Sequence, residues 1–155
     1  MKPDFLRRAI ELAVQNVRSG RGGPFGAVIV FEDGVVAEGV NRVTSALDPS
    51  AHAEIVAIRA ACLKLNRFDL KGCQIYSSCE PCPMCLGAIY WARLDALYFG
   101  ATHKDAAAAG FDDSFIYSQV PLPPKQRSLA TENLLHDEAQ APFEEWRRST
   151  IKIPY

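Results

Sequence analysis

Between Phe5 and Val17 the apolar side chains fall at Leu6, Ala9, Ile10, Ala13, Val14 and Val17. That three-and-four spacing predicts a helix with one buried face. The run Ser19-Gly20-Arg21-Gly22-Gly23-Pro24 then ends it. No Gly-Lys-Ser/Thr follows these glycines and no helix opens after them, so they read as a turn and not as a phosphate cradle. Residues 27–31 and 35–40 are β-rich runs on either side of Glu32-Asp33-Gly34. Asp-Gly between two such runs predicts a hairpin. A polar loop over 41–50 leads to a second helix near 52–65, with Ala53, Val56, Ala57, Ala60 and Leu63 on one face and Asp48, Pro49 and Ser50 as start signals. Residues 72–77 form a short strand, 82–92 a third helix opened by Pro81 and Pro83, and 96–99 another strand. Strand, helix and strand over so short a span predict a right-handed parallel crossover. A short helix near 105–109, a loop over 110–124 and a last helix near 142–149 complete the chain before a polar tail ending at Tyr155. The pattern as a whole predicts one α/β domain over residues 1–155 with a mixed sheet.

Length agrees with that count, since 155 residues suit a single core. No apolar run approaches the roughly 20 residues that cross a bilayer. Asp4 and Glu11 interrupt any signal-peptide pattern, so the expected location is the cytoplasm, with no membrane partner. Net charge is −1 and the pI about 6.3. A protein that grips a polyanion usually carries a basic surplus, so the balance disfavours nucleic acid and favours a small substrate. The five cysteines (Cys62, Cys73, Cys79, Cys82 and Cys85) are odd in number and clustered. They speak for metal or redox chemistry against a disulfide framework.

Two clusters carry that chemistry: His52-Ala53-Glu54 and Pro81-Cys82-Pro83-Met84-Cys85. Each is expected at a helix N-terminus. Cys82 and Cys85, three apart, share a helix face, and the positive end of the helix dipole favours their thiolates. One imidazole and two thiolates suit zinc and leave a fourth tetrahedral position for water. Two thiolates temper the metal's charge, so that water needs a base, and Glu54 can reach it without being a ligand. The competing arrangement is a closed site completed by Cys79, three residues before Cys82; it would make the chain a zinc-stabilised binding module with Glu54 idle. Cys62 and Cys73 read as core thiols, and His103 and His136 as surface or capping residues.

His52, Glu54, Pro81, Cys82 and Cys85 match the signature of the cytidine-deaminase superfamily of zinc-dependent base deaminases in identity, order and spacing. The resemblance implies a three-layer α/β/α sandwich around a five-stranded mixed sheet, one zinc per subunit, and hydrolytic loss of a ring amine. A narrower resemblance rests on residues 22–28, 78–93 and 109–117, with Pro142-Phe143, Trp146-Arg147 and Tyr155 in the tail. These segments are similar to bacterial guanine deaminases. That likeness implies a purine substrate, with Asn41 and Asp113 on its polar edges, Phe25, Ala53 and Trp91 about the ring, and Asp113 joining Glu54 in catalysis. It also implies a homodimer whose C-terminal segment, about 140–155, is exchanged so that Tyr155 caps the partner's site. The rivals are a tRNA adenosine deaminase, disfavoured by the charge balance and by Asp137, Glu138, Glu144 and Glu145, and a cytosine deaminase.

Overall fold

The computed structural model describes residues 2–155, and its chain divides into two compact units, one ending at Asp113 and the other Ser114–Tyr155. In the first unit, α1 (Pro3–Arg18) leads to the hairpin of β1 (Gly26–Phe31) and β2 (Gly34–Val40). Glu32 and Asp33 take the left-handed conformation at the tip, the geometry a two-residue hairpin turn needs, while Gly34 already pairs with Phe31. A one-turn α2 (Val43–Ala46) interrupts the expected loop before α3 (Ala53–Leu65), β3 (Cys73–Cys79), α4 (Pro83–Trp91), β4 (Ala96–Ala101) and α5 (His103–Ala108).

The sheet runs β2-β1-β3-β4, antiparallel at the first two pairings and parallel between β3 and β4. The expected crossover is α4, which joins β3 to β4. Alternation along the strands divides the core into two. Ala27, Ile29, Cys73 and Ile75 pack with Ala53, Ala57 and Ala61 of α3 and Ile89 of α4. Val28, Val30 and Tyr76 face the other way, against Ala9 of α1. Helices therefore cover both faces, as the three-layer expectation had it.

The expected fifth strand is not among the described residues, which form four. After β4 the chain turns into α5, where Thr102 and Asp105 make a capping box. Gly110 then takes φ +91°, and α6 (Ser114–Gln119) occupies part of the loop predicted over 110–124. Pro121, Pro123 and Pro124 follow, and prolines cannot donate to a ladder. The second unit also holds α7 (Ala141–Arg148) and two 3₁₀ turns, Pro124–Gln126 and Glu138–Gln140. No described helix is long and apolar enough to cross a membrane.

Candidate active site

Two helix starts converge on one point. His52 is the N-cap of α3 and Cys82 the N-cap of α4, with Pro83 at the first helical position and Cys85 one turn in. Close backbone packing sets where α3 begins. A Cβ at Gly39 of β2 would overlap the Ala53 carbonyl oxygen and crowd the Ala57 amide, so only glycine lets the helix lie that near the strand.

His52 Nδ1 lies 3.6 Å from Cys82 Sγ and 3.5 Å from Cys85 Sγ, and the three donor atoms fall within 4.8 Å of one another. Tetrahedral zinc with ordinary bond lengths separates a nitrogen and a sulfur ligand by roughly 3.6 Å. The residues therefore fit the ion without rearrangement. The hydrogen bond from Cys85 brings Cys82 down to about 4, while the same contact and burial push Cys85 up. His52 is raised chiefly by its hydrogen bond to Cys82. Cys79 stands apart from this group: its sulfur lies 3.5 Å from the Thr102 carbonyl, and burial pushes its thiol up to about 11.

Glu54 is buried at the first turn of α3, and burial pushes its carboxyl upward. Its Oε1 accepts a hydrogen bond of 3.1 Å from Ser77 Oγ. A carboxyl raised by burial yet still hydrogen-bonded is suited to taking and returning a proton.

The candidate substrate residues Phe25 and Asn41 lie together where the turn at 22–25 meets the end of β2. Asn41 Oδ1 accepts from the backbone N–H groups of Gly23 and Val43, at 3.2 and 3.3 Å. Those donors decide which way the amide faces. Asn16 of α1 donates to the Gly23 and Asn41 carbonyls at 2.9 and 2.8 Å and pins the turn to the strand end. Phe25 stands edge-on to Phe111 at 5.0 Å, and both rings approach Gly23 beside Asn41. Asp113, raised by burial, is close enough to feel the charges of Cys82 and His103. His103 is itself bound to Glu80, 2.8 Å from Nδ1.

The structure thus gathers His52, Glu54, Cys82 and Cys85, sets Asn41 and Phe25 together about Gly23, and brings Asp113 within electrostatic reach of Cys82. Ala53 is buried as the first residue of α3. Trp91 ends α4, about 13 Å along the helix axis from Cys82. It is exposed, with the Arg93 guanidinium 5.8 Å from its ring centre. Tyr155 belongs to the second unit and is exposed. Sequence reasoning missed Asn16, Ser77 and Phe111 as supports of the site. For the first two the signal was present, because each is a polar residue in register with buried neighbours: Asn16 with Ala9 and Ala13, Ser77 with Cys73 and Ile75.

An α/β sandwich whose paired helix starts offer one histidine, two cysteines and a buried glutamate defines a zinc-dependent deaminase. Residues 2–101 match the cytidine and deoxycytidylate deaminase zinc-binding region, and the chain belongs to that family. It is 52% identical to the guanine deaminase of Bacillus subtilis over 151 residues, 97% of each chain. The X-ray structure of guanine deaminase from B. subtilis superposes with a TM-score of 0.97 at 50% identity, covering 100% of this chain and 99% of that one. The tRNA-specific adenosine deaminase of Aquifex aeolicus is 39% identical over 103 residues, 66% of this chain and 68% of its own.

Proposed function

We propose that the chain hydrolyses guanine to xanthine and ammonia, with zinc held by His52, Cys82 and Cys85 and both units acting as one deaminase domain. One observation carries the choice of substrate. Similarity to a guanine deaminase runs over 97% of the chain, whereas similarity to the tRNA enzyme covers 66%. The neutral charge balance agrees, since a chain at −1 lacks the surplus that an RNA loop would call for.

When bound, zinc supplies a Lewis acid that lowers the pKa of water and so makes a nucleophile near neutral pH. The protein's own groups do the rest. Glu54 takes one proton from the attacking water and passes it to the ring nitrogen beside the amine-bearing carbon. It then carries the second water proton to the amine, which leaves as ammonia. Asn41 offers its NH₂ to a ring acceptor, and Asp113 accepts a ring N–H. Guanine presents both kinds of group, so a base lacking either leaves a buried partner unpaired. Phe25 borders the ring and Ala53 lies beneath it, whereas Trp91, at the far end of α4, is too distant from its own chain's Cys82 to join them.

The working form is a homodimer in which the 140–155 segment is exchanged and Tyr155 closes the partner's site. What supports this is the apolar surface a single chain leaves in water: Ile10, Val14 and Val17 of α1 line an open groove of about 580 Å³ with Phe25 and Phe111, and Phe99 is exposed on the edge strand. Five cysteines, none in a disulfide, suit the reducing cytoplasm. The decisive experiment is ammonia release from guanine, guanosine, adenine, cytosine and a tRNA anticodon arm. Guanine is the expected substrate. Turnover of the anticodon arm with guanine inert would replace this reading while leaving the family intact.

A further inference from the structure

Ser77 sits where the fold asks for an apolar side chain. On β3 it is in register with Cys73 and Ile75, which belong to the core packed beneath α3 and α4, and it pairs with Ala27 of β1 and Phe99 of β4. It is 1% exposed. Burying a hydroxyl costs stability unless it is hydrogen-bonded, and an alanine would fill this position at no such cost. Its Oγ instead lies 3.1 Å from Oε1 of Glu54. The neighbouring Ser78 makes a different contact, accepting from the Gly26 amide at 3.0 Å, so the two serines divide their work between backbone and carboxyl.

We propose that Ser77 is a positioning residue for Glu54: its hydroxyl holds Oε1 in place, so that Oε2 faces the reacting water and ring nitrogen throughout the proton shuttle. A carboxyl that must accept and then return a proton profits from a neighbour able to follow it. Serine donates to the carboxylate, and its lone pairs accept from the protonated acid. The second role costs no movement of the backbone, because the strand carrying Ser77 is a central one, paired on both sides. With Oε1 fixed, rotation of the carboxyl no longer scatters the reactive oxygen over several positions, and small errors in placement are costly in rate.

The proposal rests on Glu54 being the shuttle, and the test separates the two. Ser77→Ala and the near-isosteric Ser77→Cys, a poor donor, should lower kcat for guanine about 10- to 100-fold with KM changed less than about threefold. Zinc content should stay at one per chain and the melting temperature close to wild type. Each variant is then combined with Glu54→Gln and its residual rate read in single turnovers with excess enzyme. If Ser77 acts through Glu54, removing its hydroxyl there costs less than about twofold. An equal loss in both backgrounds, or wild-type kcat in Ser77→Ala, overturns the proposal. Wild-type turnover by Glu54→Gln alone would remove the shuttle itself, and Ser77's role with it.

Discussion

The three candidate ligands and their glutamate were legible residue by residue, because metal chemistry needs particular side chains at particular spacings. Cys82 and Cys85 at a helix start can hardly be anything else beside His52 and Glu54. The role of Cys79 was open in the sequence, since its spacing from Cys82 equals that of Cys85. Its sulfur turns to the Thr102 carbonyl and burial keeps it protonated. Cys79→Ala should therefore keep one zinc per chain, whereas Cys82→Ala and Cys85→Ala should lose the metal; atomic emission on desalted protein decides it. Asn41 shows what sequence could not supply, namely which end of the amide the backbone holds. Because Oδ1 is occupied by Gly23 and Val43, Asn41→Asp keeps both backbone hydrogen bonds but loses the donor. It should fold and bind zinc while guanine turnover falls at least about 100-fold. Asn41→Ala strips those N–H groups of their acceptor as well, and should also lose about 1–3 kcal/mol of stability in a denaturant titration.

At the scale of elements, period and punctuation located the four strands and the helices α1, α3, α4, α5 and α7 to within a few residues: α1 buries one face, and β1 and β3 are buried almost end to end. Short elements escaped: α2 and α6 are four and six residues, too brief for a period to show. Distance between elements escaped too, because it depends on one missing Cβ. Gly39 and Gly34 lie on the same strand, yet a methyl at Gly39 meets the first turn of α3, whereas at Gly34 its nearest neighbour is the Phe31 carbonyl at 3.5 Å. Gly39→Ala should push α3 and His52 away from Cys82. We expect a loss of about 2–4 kcal/mol in unfolding free energy, and weaker zinc retention against a chelator. Gly34→Ala should stay within about 0.5 kcal/mol of wild type. Equal behaviour of the two would mean that helix placement is set elsewhere.

For the whole molecule the telling feature is the second unit. None of the residues in 114–155 is buried, and Phe115, Phe143, Trp146, Ile151, Ile153 and Tyr155 are exposed. Side chains of that size left in water forgo roughly 25 cal/mol for each Å² they could bury, so a segment so rich in them is stabilised by docking. The exchange proposed above would dock the segment on a second copy of the chain, and exchange of a terminal element is a low-cost route to a twofold dimer. In that arrangement a pocket closed by a partner's tail would have no room for a polynucleotide and would favour a free base. Removing residues 151–155 should then spare zinc binding and the first unit's fold but sharply lower guanine turnover. Sedimentation should show the wild type as a dimer. The stringent test mixes two inactive variants, Glu54→Gln and the truncated chain, after unfolding and refolding them together in zinc. A mixed dimer holds one site with an intact Glu54 and a full-length partner's Tyr155, so activity should return to about a quarter of wild type: random pairing makes half the dimers mixed, each with one working site of two. Mixed dimers that form and stay inactive would show that the tail serves its own chain.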